Sequence, residues 1–259
     1  MNAEPTVIAL VVWALVFGAG LAGMWIGSRL PEEHRTSDSR NVVTISMAMV
    51  STLTALALGL LLSVANTSFT TNQQQLMSTS TDLIRLDHLL RFYGSDAEAA
   101  RGALKGYAHS MIQDLFPPIG DQRNIENEST LDYMASAENT VALLVPANAM
   151  QRWLQPRMLD IADEIVQEHY ALVKQRLEVI PMAVMMLLLV WLVLLFAGYG
   201  LYAPRHLTSA IVLLLASGAA SGAILLIIEL ETPNRGFVSL SPEPLMHAID
   251  VMERHPNAG

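Results

Sequence analysis

Cysteine is absent from the chain. That excludes disulfides, thiolate nucleophiles, thiolate zinc sites and iron–sulfur clusters together. Charge is scarce as well. Only 15% of the 259 residues are Asp, Glu, Lys or Arg, against 52% hydrophobic. A soluble domain carries about 25% charged residues, so the depletion fits insertion into a membrane. The net charge of −9 excludes a nucleic-acid binder, whose partner demands a basic face, and equally a polybasic membrane-surface segment. Gly-rich phosphate loops, nucleophile elbows and His-Glu-x-x-His motifs are missing, so the sequence points to no enzyme and no cofactor.

What the chain does have is four long apolar runs, two near each end, around a polar middle. The first, Pro5 to Ser28, carries no charge and exceeds the roughly 20 apolar residues that span a core of about 30 Å. A secretory signal would open on basic residues and have a shorter apolar core. Here only Glu4 precedes the run, which therefore reads as a retained helix. A loop over Arg29 to Asn41 leads to the second run, from Val42 to Asn66. Its Thr52, Leu56, Gly59, Ser63 and Asn66 share one helical face, prolonged by Thr70 and Gln73. No charge follows until Asp82, so this helix is free to continue out of the bilayer.

Amphipathic helices are predicted from residue 76 to 178. Leu76, Leu83, Leu86, Leu89 and Leu90 form one stripe, which Gly94 ends, and Ser95 or Asp96 is placed to cap the next helix. Pro117 and Pro118 stop that helix, Ile119 to Ser129 reads as a loop, and further helices start near Thr130 and after Pro146. The third apolar run is Val179 to Pro204 and the fourth Leu207 to Ile228, joined by a tight turn at Pro204, Arg205 and His206. A tail with Pro233, Pro242, Pro244 and Pro256 holds a short helix between Pro244 and Arg254. No segment alternates with period two. The expectation is an all-α protein divided into an N-terminal transmembrane hairpin (1–75), an extramembrane helical region (76–178), a C-terminal transmembrane hairpin (179–231) and a tail (232–259). Four crossings put both hairpin loops on one side. Arg29, Arg35, Arg40 and Arg205 in those loops favour a cytoplasmic position for them, whereas Lys174 and Arg176 pull the other way.

Each candidate site has a bland alternative. The stripe of Thr52, Leu56, Gly59, Ser63 and Asn66 suits either a permeation path or helix–helix packing, and small and hydroxyl residues favour packing first. Gly218, Gly222 and Leu225 on the fourth run read the same way. Glu229 is a membrane-boundary acid whose simplest reading is a solvated carboxylate at the helix exit. Asp160, Glu164, Glu168 and His169 lie at metal-ligand spacing, but carboxylates four apart usually form a solvated surface, so no metal is expected. Asn127-Glu128-Ser129 matches a glycosylation acceptor.

The stretch Leu58-Gly59-Leu60-Leu61-Leu62-Ser63-Val64-Ala65-Asn66-Thr67-Ser68-Phe69, the turn Leu201-Tyr202-Ala203-Pro204-Arg205 and the segment Glu229-Leu230-Glu231-Thr232-Pro233, leading through Gly236 to Pro244-Leu245, resemble the DUF4239, or bestrophin-like, family over nearly the whole chain. Similarity to the bestrophins, pentameric anion channels, implies a homo-oligomer in a lipid bilayer, small ions as its cargo and a second helix lining the pore. Bestrophin topology would place the central region in the cytosol. Bestrophins follow the Leu58-to-Thr67 stretch with an arginine and a tryptophan pair, where this sequence has Phe69 and no tryptophan. The alternative from another class is a non-conducting scaffold whose central helices bind a protein partner.

Overall fold

The structure is a computed structural model and describes residues 5–29, 31, 37–116, 128–177, 181–231 and 239–254. The described residues form eight α-helices and no strand: α1 (Pro5–Gly27), α2 (Ser37–Tyr93), α3 (Glu98–Leu115), α4 (Glu128–Ala142), α5 (Ala149–Leu177), α6 (Met182–Tyr202), α7 (Leu207–Glu231) and α8 (Glu243–Arg254). Two compact units result, one from Met1–Phe69 with Val179–Ser239 and one from Thr70–Glu178 with Leu240–Gly259. The four runs anticipated from hydropathy are all helical, and each is long and apolar enough to cross a membrane.

In the first unit α1 packs on α6 and α7. The residues α1 buries are Pro5, Ala9, Val12, Val16, Gly20, Gly23 and Gly27, spaced three and four apart as one face of a helix must be. Opposite them α6 buries Leu188, Leu192, Leu195, Phe196 and Gly200. The contact is backbone on backbone. A Cβ added at Gly23 would run into the Ala197 carbonyl, one at Gly27 into that of Leu201, and one at Gly200 into that of Gly20. Between hydrocarbon-soluble helices, where no water is expelled, such close approach supplies the attraction. The α7 helix adds a polar tie: Ser221 donates to the Ala9 carbonyl at 2.6 Å.

The second unit has a conventional apolar core. Leu76, Leu83, Leu86 and Leu90 of α2 are buried with Leu104 and Met111 of α3, Met134 of α4, Met158 and Ile165 of α5, and Leu245, Ala248 and Met252 of α8. Burying each such side chain is worth about 1.5–3 kcal/mol. Gly94 ends α2 with φ 110°, a left-handed conformation that glycine adopts without strain.

Two local expectations differ. Helix α2 begins at Ser37, inside the anticipated Arg29–Asn41 loop, because a charged residue ends an apolar run without ending a helix. The Thr44 hydroxyl donates to the Arg40 carbonyl at 2.8 Å across that first turn. Neither Ser95 nor Asp96 caps α3: both lie in a short 3-10 turn, and Ala97 precedes the helix with no side-chain cap. The short helix expected between Pro244 and Arg254 is present as α8, which packs on α3 within the second unit. The anticipated loop from Ile119 and the Asn127 acceptor lie outside the described residues.

Candidate functional site

Helix α2 has two dissimilar faces within the first unit. Thr54 and Ala65 are buried, and Met47, Val50, Ala57, Leu58 and Leu61 pack against the apolar core. On the other side Thr52, Leu56, Gly59, Ser63 and Asn66 are all exposed. With 100° per residue, that stripe points nearly opposite the buried one. A Cβ added at Gly59 would meet nothing within 4 Å. The Thr52, Leu56, Gly59 and Ser63 part of the stripe is therefore left uncovered among the described residues of the first unit. The Thr52 hydroxyl donates to the Ala48 carbonyl at 3.0 Å and Thr67 to the Ser63 carbonyl at 2.9 Å, so these hydroxyls satisfy their donors along the helix. An exposed ridge of Val42, Ile45, Met49, Leu53, Leu60 and Val64 runs beside the stripe. The arrangement is a narrow, uncharged, hydroxyl-bearing strip bordered by large apolar side chains.

The other sequence candidates separate. Glu229 is only 2% exposed, so the expectation of a solvated carboxylate does not hold; the helix exit is covered rather than wet. On α7 the buried face is that of Ser217, Ser221 and Ile224. Gly218 stands 3.6 Å, measured from an added Cβ, from the Trp13 indole nitrogen, and Gly222 faces open space. The packing face thus lies one residue round from the one that the glycines suggested. Sequence reading passed over Gly20, Gly23, Gly27 and Gly200, although the spacing of three and four in the first run carried the same small-residue signal.

In the second unit the acidic face of α5 splits. Asp160 and Glu164 are exposed, whereas Glu168 accepts a hydrogen bond from Thr79 at 2.6 Å and His169 is buried. Nδ1 of His169 lies 3.2 Å from the Tyr107 hydroxyl. Burial lowers the His169 pKa, against an opposing pull from Asp114, and burial followed by the charge of Glu168 raises that of Tyr107. Both rings are neutral at pH 7 as a result. Close by, Asp114 accepts from Thr130, whose hydroxyl is 2.5 Å from that of Ser110. Elsewhere in the unit Arg101, which is buried, donates to Asp87 at 2.6 Å and to the Met252 carbonyl of α8 at 3.0 Å. These groups bind one another and build a core.

The order of elements, two apolar helices, an amphipathic helical middle and two more apolar helices, is matched by the bestrophin-like domain over residues 14–245. The chain belongs to the bestrophin-like family. Among solved structures, a membrane protein aligns with this bestrophin-like chain at TM-score 0.68 and 17% identity, covering 95% of it and 99% of that protein. A bacterial bestrophin homologue from Klebsiella pneumoniae aligns at TM-score 0.64 and 17% identity, with coverage of 95% and 99%, and a single-substitution variant of it at TM-score 0.66 and 16% identity, with coverage of 95% and 98%. No curated protein matches. Identities this low establish a shared fold, and the fold extends across nearly the full length of the bestrophin-like chain. Family and apolar helices together make it a membrane protein.

Proposed function

We propose that this bestrophin-like chain is a multi-pass subunit of a homo-oligomeric ion channel in the cell or inner membrane, with the free face of α2 lining the path. One observation carries the reading. The stripe of Thr52, Gly59 and Ser63 is a polar surface on an apolar helix, yet it stands exposed in the first unit, where a Cβ added at Gly59 would meet nothing within 4 Å. In hydrocarbon such groups face protein or water rather than lipid. A symmetric ring of copies sets that stripe around an axis and gives it water. Hydroxyls and an amide, with no charge between Asn41 and Asp82, suit passage of small ions without tight binding.

The test is flux in liposomes. Gly59→Leu adds bulk where the subunit has open space, so it is expected to cut the current severalfold with unfolding temperature unchanged, and Ser63→Asp to change ion selectivity. Silence of the wild type across ions and voltages overturns the reading. A second reading, a non-conducting scaffold, rests on the exposed Leu143, Val145, Met150 and Trp153 of the second unit, between 59% and 85% exposed. Large exposed apolar side chains this close in sequence suit a protein partner. It predicts one stable partner on purification and no ring-shaped oligomer.

A further inference from the structure

The end of the first unit where α1 stops and α6 turns into α7 gathers groups that the channel reading leaves unused. Helix α1 has 23 residues, which at ~1.5 Å each reach about 34 Å and just exceed a hydrocarbon core of about 30 Å. The residues next along the chain, Ser28 and Arg29, therefore emerge at headgroup depth. The Arg29 guanidinium lies 3.9 Å from the centroid of the Trp25 ring, and that ring is 52% exposed. Indole at an interface with a guanidinium on its face is an arrangement suited to the boundary between acyl chains and phosphates. The Ser28 hydroxyl donates to the Trp25 carbonyl at 2.6 Å and accepts from Nη2 of Arg205. Arg205 belongs to the Pro204–His206 turn, so Ser28 fastens one exposed guanidinium to the end of α1, while the neighbouring Arg29 rests its own on the Trp25 ring one turn back. The carboxylates of this unit whose side chains are described, Glu229 and Glu231, sit at the far end of α7, about 35 Å along the helix. The sequence joining α1 to α2 adds Glu32, Glu33, His34 and Arg35, and the first turn of α2 adds Asp38, all with side chains outside the described residues.

We infer that Arg29 and Arg205 form a binding surface for the phosphate of an anionic glycerophospholipid, with Trp25 seating the adjacent acyl chain. Guanidinium offers paired donors that match phosphate oxygens. A lipid, rather than a soluble phosphate, is the occupant because helix length fixes both groups at the bilayer surface. The inference does not depend on α2 lining a path; a chain that conducts nothing would bind the lipid equally.

The test titrates the purified full-length chain in mild detergent with phosphatidylglycerol or phosphatidylcholine and counts bound lipid by native mass spectrometry. The wild type is expected to hold phosphatidylglycerol at least fivefold more tightly, and Arg29→Gln and Arg205→Gln each to weaken it about fivefold, the worth of one arginine near an anionic surface. Arg205→Lys is expected to keep most of the preference. Should Arg205→Gln fail to give a monodisperse protein, Arg29→Gln carries the reading, since that side chain lies exposed on an indole face. Equal affinity for the two lipids, or a preference that survives both glutamine variants, overturns the inference. So does displacement of the lipid by inorganic phosphate beyond that caused by chloride at matched ionic strength, which would mark a soluble-anion site.

Discussion

Glycines of this chain fall into two kinds that composition does not distinguish. Gly23, Gly27 and Gly200 stand where any Cβ meets a backbone carbonyl, while Gly59 and Gly222 stand in open space. Gly23→Ala and Gly27→Ala are therefore expected to destabilise the protein by about 1–3 kcal/mol, as overpacking does, and Gly59→Ala and Gly222→Ala to leave it unchanged or slightly stiffer. Unfolding temperature in detergent separates the two sets. His169 makes a pH prediction. Its folded pKa lies below the ordinary 6.5 because burial disfavours the cation. The unfolded chain then binds the proton more readily, so stability is complete above about pH 6.5 and falls as the pH drops from there towards the folded value. His169→Asn should flatten that fall between about pH 8 and pH 5, as followed by thermal unfolding.

At the scale of a helix, α2 divides into a packed face, a hydroxyl-bearing strip and an apolar ridge, and the absence of native cysteine allows each to be probed singly. A charged thiol reagent acts on thiolate, which forms in water and not in hydrocarbon. Gly59→Cys and Ser63→Cys are expected to react, Thr54→Cys and Ala65→Cys to be protected by packing, and Leu60→Cys and Val64→Cys to react more slowly. Equal rates at Ser63 and Leu60 would leave no watery strip. The same helix shows what a sequence carries and what it withholds. Its apolar run and its stripe were legible because length and period depend on one segment alone. Its start at Ser37 was not, since hydropathy marks where a helix can sit in lipid rather than where backbone hydrogen bonding begins. Partner choice was equally hidden. Small residues on the first and fourth runs gave one signal, and only the fold tells that Gly23 meets Ala197 while Gly222 meets nothing. The burial of Glu229 was illegible for the same reason, because a carboxylate at a run's end looks alike whether covered or wet.

At the scale of the full chain, a buried ion pair fastens the described part of the second unit. Arg101 joins Asp87 of α2 to the last turn of α8. Asp87→Asn takes the Asp87 charge away from the buried Arg101, and the expected cost is about 3–5 kcal/mol. Limited proteolysis checks it: cleavage within Glu243–Arg254 should quicken in the variant, whereas a wild-type rate would mean that apolar contacts alone hold α8. In the first unit the fastening between α1 and α6 is of another kind. A joint made of side chains can loosen by changing rotamers, whereas at Gly23, Gly27 and Gly200 this one sets backbone against backbone. The two helices can separate only by sliding bodily apart, against every backbone contact at once. Mechanically they amount to a single plank, and a displacement in the apolar unit is left to α2 or α7.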